Sequence, residues 1–349
     1  MAGGQKEDFF FTKYMRVTDN KSTAKENNGV IDKLSNCYQK HAWKELQDSL
    51  FNCCMELDCN NITMTKFKLY KLNIVRGKGM LCRFLMFAQI RRLGDSFFYA
   101  KLVALINVDF PNIVELLITR YIVQFKVTYF FEEDKSYILG PAYFLAHLIN
   151  FNCVDAVVVI QMLNIIFKHS SLNPFKLRVV KEVLKICGYK LCIEQEKEMY
   201  QILEVLDLIP QNFRLVKEIQ FLIKYIFKLH DLSKTTTVEE KYDKGLKELF
   251  SKQQTHDVTF LSAFNPEYDL DSYTLDLDYV TNEEIFKQFV PREDENLLCD
   301  IHYDSDTDFQ WEATEENEKN GEESEDFTGD NKVADEKVTD EHSTTDQPS

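Results

Sequence analysis

The sequence lacks the motifs that mark common enzyme active sites. It contains no HExxH, no GxSxG and no pair of carboxylates at a catalytic spacing. His147, in YFLAHLIN, lies on an apolar helical face with no acid or nucleophile at a useful spacing beside it. That setting is typical of a core or near-surface histidine rather than of a general base. We therefore predict a protein that is not an enzyme and that needs no cofactor.

A disulfide or zinc framework is also missing, because the nine cysteines include no CxxC pair. Most of them lie within apolar helical patterns, where cysteine acts as a small hydrophobic residue. Cys53, Cys54 and Cys59 form the nearest group, but no histidine or further cysteine stands at metal-ligand spacing from them. The pattern predicts no metal site and favours a reducing nuclear or cytosolic compartment.

Long hydrophobic runs are absent as well. The first residues, MAGGQKEDFFFTKYMRV, carry acids and lysines where a signal peptide would carry its apolar centre. The most apolar later run is interrupted at Asp155 and Gln161. The sequence thus predicts neither secretion nor a membrane partner.

Charge is present but unevenly placed. The net charge is −16, and residues Pro291 to Ser349 contain 21 acids and 4 bases, which leaves 36 acids and 37 bases in residues 1–290. A balanced body does not guarantee the clustered basic surface that nucleic-acid binding requires, although a local patch would suffice. We therefore expect any RNA contact to be secondary to protein contacts.

Helical periodicity runs almost without interruption from His41 to Lys252, in roughly ten segments of about 12 to 20 residues. After Pro111, which suits a first helical position, apolar residues line one face: Val114, Leu117, Ile118, Tyr121, Ile122 and Phe125. Asn112, Glu115 and Thr119 share another face. Short links between helices favour an all-α, HEAT-like stack of antiparallel helix pairs.

A second helix is bracketed by its end signals. Asn173 is predicted as its N-terminal cap, Pro174 as its first residue and Gly188 as the residue after its last turn. The predicted buried stripe of this helix consists of Val179, Val183, Ile186 and Cys187.

Four regions follow from these patterns. Residues 1–40 read as a polar N-terminal extension, and 41–252 as the helical domain. Residues 253–290 mix aromatics with acids and read as an extended wrapping segment with a short helix near Glu283 to Phe289. Residues 291–349 have the acidic, apolar-poor composition of disorder. In this tail Ser305 and Ser324 stand among acids, as substrates of acidophilic kinases do, although such serines are more often part of a plain solvated tail.

The stretch NIVRGKGMLCR raises the question of a phosphate site. Arg76, Gly77, Lys78 and Gly79 form a glycine-rich turn before an apolar run, and backbone amides at such a turn can hold phosphate. The spacing matches neither a P-loop nor the GxGxxG of a βαβ unit. We interpret Gly77 and Gly79 as residues of a turn between helices. Arg76 and Lys78 are then candidates for a partner or RNA contact, or solvated residues of the link.

The same stretch resembles a known family. NIVRGKGML is similar to the NIVRGRGLL of the nucampholin family of pre-mRNA-splicing factors, which are built on the middle domain of eukaryotic initiation factor four-gamma (MIF4G). YAKLVALINVDFPNIVELLITR, FLAHLIN, KICGYKL and HDVTFLSAFNPEYDLDSY resemble further segments of that family in the same order. Trp43 and Leu46 resemble the start of its first helix. The resemblance covers about His41 to Pro291.

This resemblance implies a nuclear, spliceosome-associated scaffold with a MIF4G-type domain and spliceosomal protein partners. In the family, the domain also clamps a DEAD-box RNA helicase of the initiation factor four-A type and links it to exon-junction assembly. Asn52, Cys53, Cys54, Met55 and Glu56 align with the family's helicase-contacting helix end, so the resemblance makes Asn52, Met55 and Glu56 candidate contact residues.

Three departures from the family pattern bear on this implication. Glu56 stands where the family has lysine, and Glu132 and Glu133 follow Lys126 where the family has a basic loop. Because a reversed charge at a desolvated contact is costly, we predict weak or no helicase binding. The sequence also stops before the family's second helical domain, of the MA3 type, which fits either a shortened paralogue or part of a longer product.

Two alternative functions share the same helical fold. One is a MIF4G scaffold of translation, and the other is a direct RNA-binding module. Fold alone does not separate them from a splicing scaffold, because function depends on the site and the compartment.

Overall fold

The computed structural model describes residues 32–130, 135–168, 173–208, 214–233, 249, 251–262 and 265–289. These residues form eleven α-helices: α1 (Asn36–Met55), α2 (Ile62–Tyr70), α3 (Lys78–Arg91), α4 (Ser96–Asp109), α5 (Pro111–Phe130), α6 (Lys135–Asn150), α7 (Ala156–Lys168), α8 (Pro174–Glu194), α9 (Glu196–Asp207), α10 (Arg214–Ser233) and α11 (Tyr279–Phe289). Short 3-10 helices occupy Leu93–Asp95 and Tyr268–Asp271. In this part of the chain no strand forms beyond a single parallel bridge between Val154 and His256.

The helices form two rows, as in a HEAT-like stack. In one row α2, α4, α6, α8 and α10 each contact the next, and in the other α1 contacts α3, which contacts α5. Helices α7 and α9 contact each other and α8. Each amphipathic pair buries its apolar face against its neighbours, which is the architecture the periodicity predicts. The predicted all-α stack is confirmed.

The core contains the apolar helix faces that the helical periodicity predicts to be buried. All six apolar residues of the α5 stripe are at most 1% exposed. Pro111 is the first residue of α5, as predicted. Five of the eight described cysteines are buried, as expected of small hydrophobic residues: Cys54, Cys82, Cys153, Cys187 and Cys192.

The predicted end of α8 at Gly188 is wrong. Asn173 caps the helix by accepting a hydrogen bond from the Lys176 amide, and Pro174 is the first residue, but the helix continues to Glu194. Gly188 is buried inside this helix, which packs against α6 and α10. Tertiary packing there offsets the roughly 1 kcal/mol that an interior glycine costs. In the predicted stripe, Val179, Val183 and Cys187 are buried and Ile186 is partly buried.

Helix α1 begins inside the predicted N-terminal extension. The hydroxyl oxygen of Ser35 accepts a hydrogen bond from the Tyr38 amide and thereby starts the helix at Asn36. The rest of that extension, residues 1–31, lies outside the described residues, and so does the predicted acidic tail with Cys299, Ser305 and Ser324.

The described part of the predicted wrapping segment, residues 253–262 and 265–289, lies along the helices; we call it the strap. At its start the side-chain nitrogen Nε2 of Gln253 donates to the Ala104 carbonyl oxygen at 2.9 Å. Farther on, the Phe260 amide donates to Gln161 Oε1 at 2.8 Å, and the Phe260 ring packs edge-on against Phe125 at 5.7 Å. These contacts attach the first half of the strap to α4, α5 and α7.

The second half of the strap contacts the beginning of the stack. The fully buried Gln39 donates to the Asp276 carbonyl oxygen and accepts from the Asp276 amide, at 2.8 and 2.9 Å. The Tyr273 hydroxyl donates to Asn36 Oδ1 at 2.9 Å. Phe286 of α11 stacks on Phe110 with ring centroids 6.3 Å apart. The strap therefore contacts α1, although the paired residues are more than two hundred positions apart in sequence.

His256 anchors the strap near its start. It is 3% exposed, and its Nε2 lies 2.6 Å from Asn107 Oδ1, while the Asn107 amide nitrogen donates to Gln253 Oε1. The amide orientation therefore places the imidazole proton on Nε2. Burial lowers the pKa of His256, and the carboxylate of Glu115 opposes that shift.

We expect His256 to make the fold sensitive to acid. Because the folded-state pKa lies below the unfolded value of about 6.5, the contribution of His256 to stability is fully present above about pH 6.5 and is lost as the pH falls through the lower folded-state pKa. The free energy of unfolding, measured by urea titration from pH 7 to pH 5, should decline less steeply in His256→Gln than in wild type. The same change at His41, whose side chain is 74% exposed, should leave the slope unchanged. Equal slopes for wild type and His256→Gln would contradict this prediction.

Among the described residues, no helix is both long enough and apolar enough to cross a membrane.

Candidate functional site

The glycine-rich stretch forms a tight link between α2 and α3. Asn73 holds it from both sides: its Oδ1 accepts the Arg76 amide and its Nδ2 donates to Glu283 Oε1 of α11, each at 2.9 Å. Gly77 precedes the first residue of α3, which is Lys78. The link is thus fixed to the strap by a side chain of its own.

Arg76 and Lys78, the two candidate contact residues, both reach the strap. The Arg76 guanidinium lies over the Tyr279 ring at 4.5 Å and near the Trp43 ring at 5.5 Å. Lys78 Nζ pairs with Glu267 Oε2 at 3.0 Å. The structure therefore brings both basic side chains into contacts within the chain. A direct contact of either one with a partner or RNA stays a prediction.

Close packing accounts for the presence of glycine at positions 77 and 79 better than a special backbone conformation does. A Cβ on Gly77, whose φ is −88°, would lie 2.8 Å from Leu50 Cδ1. A Cβ on Gly79 would lie 2.6 Å from the backbone of Leu270 and from Asp271 Oδ1. Because backbone cannot yield as a flexible side chain can, Gly79 lets the strap approach α3 at this point.

Arg120 is the centre of the contact between α3, α5 and the strap. It is 1% exposed, and its guanidinium donates to three carbonyl oxygens: those of Pro266 at 2.9 Å, Gly79 at 2.8 Å and Glu267 at 2.9 Å. Its Nη2 also lies 2.9 Å from Asp271 Oδ1. The five donors of a guanidinium suit such a buried, multiply bonded position.

The electrostatics of this centre are balanced by Asp271. Burial raises the pKa of the Asp271 carboxyl, whereas the guanidinium groups of Arg120 and Arg83 oppose that shift. Arg83 Nη1 lies 4.0 Å from Asp271 Oδ2. Sequence reasoning missed Arg120. The available signal was that Glu115 and Arg120 are the only charged residues between Ile113 and Phe125.

The predicted helicase-contacting residues lie at the end of α1, apart from this centre. Asn52 and Glu56 are exposed and Met55 is partly buried. Glu56 Oε2 lies 3.7 Å from Lys68 Nζ, and both side chains are more than half exposed. The end of α1 thus offers a polar surface whose acid is only loosely paired.

The second predicted helicase region is partly described. Lys126 Nζ donates to the Phe260 carbonyl oxygen of the strap, and burial lowers the pKa of this lysine. Phe130 is 54% exposed, while residues 131–134, including Glu132 and Glu133, lie outside the described residues. The one lysine of this region that the structure describes is therefore used inside the chain.

The histidine candidate and the cysteine candidates of the sequence lie in different parts of the fold. His147 is half-buried, with the Phe97 ring edge-on at 5.7 Å. In the ranges that the structure describes, no three or more His, Cys, Asp or Glu side chains converge in a way that could hold a metal ion. Cys59 and Cys54 differ sharply in exposure, because Cys59 lies at the surface and Cys54 in the core.

The helical stack, the link between α2 and α3 and the strap together define an α-helical repeat protein. In this protein the strap packs back onto the first helices of the stack. The chain is 30% identical to the pre-mRNA-splicing factor CWC22 homologues of Mus musculus and Homo sapiens, in an alignment of 288 positions that covers 80% of the chain. It is 28% identical to the Drosophila melanogaster homologue over 267 residues. The predicted resemblance is confirmed: over this region the chain is homologous to the CWC22 splicing factors, which are the nucampholin family.

The homology covers only part of those relatives. The aligned region spans 30% of the mouse and human proteins and 23% of the male determiner protein Mdmd(Y) of Musca domestica, to which the chain is also 30% identical. No family model matches the chain. The MIF4G assignment therefore stays a prediction, supported by the helical stack.

Proposed function

We propose that this chain is a nuclear, non-enzymatic scaffold of pre-mRNA splicing that acts through protein contacts. The observation that carries this proposal is the 30% identity to CWC22 splicing factors over 80% of the chain. A stack of helix pairs supports it, because such stacks present extended surfaces for other proteins. RNA contact is a secondary part of the proposal.

The contacts of the glycine-rich link indicate which surfaces are available for docking. Arg76 and Lys78 are engaged by the strap, and Gly79 is covered by it. Partners would therefore dock on exposed positions elsewhere, such as the end of α1 around Asn52 and Glu56. In this proposal the link and the strap keep the scaffold rigid.

Co-purification tests this proposal directly. The tagged full chain, expressed in cells and recovered from nuclear extract, should retain spliceosomal proteins identified by mass spectrometry. Proximity labelling in the same cells should report the same partners and a nuclear location. Recovery of translation factors alone would contradict the splicing role and favour the translation scaffold. A steep fall of single-stranded RNA affinity with salt would favour the RNA-binding module instead.

We further propose that binding to a DEAD-box RNA helicase of the initiation factor four-A type is weak, and with it the link to exon-junction assembly. The proposal rests on the acid at Glu56 and on the exposed position of this residue. Met55→Asn combined with Glu56→Lys should strengthen binding of the purified helicase by about tenfold or more, because a repulsive charge is replaced by an attractive one. The measurement is a titration by isothermal calorimetry.

The control for the helicase prediction is Glu45→Lys, which makes the same charge change on an exposed face of α1 nearer its start. This variant should leave the affinity unchanged. Tight binding of the helicase to the unmodified chain would show that our interpretation of Glu56 is wrong. Equal strengthening by Glu45→Lys would attribute the effect to net charge rather than to the end of α1.

A further inference from the structure

A polar cavity of about 550 Å³ lies between the outer face of α5 and the strap. Asn112, Glu115 and Thr119 line it from α5, at spacings that place them on one face of the helix. Asp257 lines it from the strap. The volume falls within the range of pockets that bind small molecules or single side chains.

The charges around this cavity leave an excess of negative charge. At one end Lys78 and Glu267 pair at 3.0 Å and so neutralise each other. Glu115 and Asp257 make no ion pair with any residue in the described ranges. Arg120 does not line the cavity, and its charge is paired with Asp271. The cavity thus favours a cationic group.

Neutral acceptors stand beside the two carboxylates. Thr119 is 9% exposed, and its hydroxyl has no hydrogen-bond partner among the described residues. The hydroxyl oxygen keeps some solvent access and can therefore accept a hydrogen bond from a donor brought into the cavity. The Asn112 side-chain oxygen adds another acceptor from the same face of α5.

The cavity also has an apolar wall. Leu116 of α5 and Val258 of the strap line it and are 5% and 7% exposed. A ligand with an aliphatic stem and a cationic head would place the stem along these two side chains and the head among the acceptors.

We propose that this cavity binds an arginine side chain of a partner polypeptide. A guanidinium offers five donors in a planar fork, which suits two carboxylates, an amide oxygen and a hydroxyl on different walls. It is also more weakly hydrated than an ammonium group and so enters a partly enclosed site at lower cost. The inference concerns binding alone and holds for any arginine-bearing partner, whether or not the chain acts in splicing.

Ligand-observed NMR with the full chain tests this proposal. The probes are three blocked tripeptides, acetyl-Gly-X-Gly-amide, in which X is arginine, its neutral isostere citrulline, or lysine. We expect the arginine peptide to bind at least about tenfold more tightly than the citrulline peptide, because charge-assisted hydrogen bonds are lost in the isostere. The lysine peptide should bind more weakly than the arginine peptide.

A pair of matched variants locates the binding. Glu115→Gln with Asp257→Asn should reduce the affinity for the arginine peptide at least about tenfold. Glu204→Gln with Glu284→Gln removes the same charge from exposed positions on α9 and α11 and should leave the affinity unchanged. Melting curves of both variants should match wild type, because all four side chains are exposed.

Three results would overturn the proposal: equal binding of the arginine and citrulline peptides, equal binding of arginine and lysine, or the same affinity in wild type and the Glu115/Asp257 variant. Each is independent of the co-purification experiment. A chain that recovers spliceosomal proteins but ignores these peptides would refute the cavity alone, and the converse result would refute the splicing role alone.

Discussion

Replacing Arg120 with methionine is expected to lower the free energy of unfolding by about 3 to 5 kcal/mol. Methionine fills similar space but leaves Asp271 without its closest ion-pair partner and leaves three carbonyl oxygens without their donor. The loss of buried pairing therefore outweighs the gain of an apolar side chain. Urea-induced unfolding of the full chain, followed by circular dichroism, measures the change.

The double variant Arg120→Met with Asp271→Asn separates charge from packing. Since the unpaired carboxylate is removed, the double variant should recover part of the lost stability. Arg91→Met, at an exposed position on α3, is the matched control and should be nearly neutral. Equal destabilisation by Arg91→Met, or a neutral Arg120→Met, would show that Arg120 does not hold the strap.

Loss of Arg120 should also free the strap specifically. Its guanidinium contacts the carbonyl oxygens of Pro266 and Glu267, next to the short 3-10 helix that covers Gly79. In Arg120→Met, hydrogen exchange of strap amides from Glu267 to Asp276 should accelerate more than that of α4 and α6. This pattern would distinguish local release from general loss of stability.

The helical stack could be predicted from sequence because its signal is local. The α5 stripe repeats within one helix, and Pro111 and Asn173 mark helix starts through their own backbone chemistry. The end of α8 could not be predicted in this way. Gly188 carries a local stop signal, but it is buried within α8, and the helix continues past it to Glu194. The length of α8 is therefore set by tertiary packing rather than by local helix propensity, and tertiary contacts cannot be read from a single sequence.

The contacts of the candidate site depend on long-range pairing and were harder to predict. Arg120 pairs with residues about 150 positions away, and Lys78 pairs with Glu267 across 189 positions. No spacing rule links such residues. The sequence marked Arg76 to Gly79 as unusual because two glycines and two bases stand together, but it did not indicate that the strap would be what they contact.

Leu117→Ala is the second large effect that we expect, with a loss of about 2 to 5 kcal/mol in the free energy of unfolding. Leu117 is 1% exposed in the middle of the α5 stripe, and α5 packs against α3, α4 and α6. The cost therefore combines lost burial of the side chain with the unfilled volume. Urea titration at constant pH measures it.

The matched control is Leu261→Ala in the strap. It deletes the same side-chain atoms, but from a leucine that is 85% exposed to solvent. That change should stay within about 0.5 kcal/mol of wild type. A near-neutral Leu117→Ala would mean that α5 presents a different face to the core, and both the Arg120 contacts and the cavity beside Glu115 would then require a different register. The two measurements together test whether one orientation of α5 accounts for its core, its ion pair and its polar outer face.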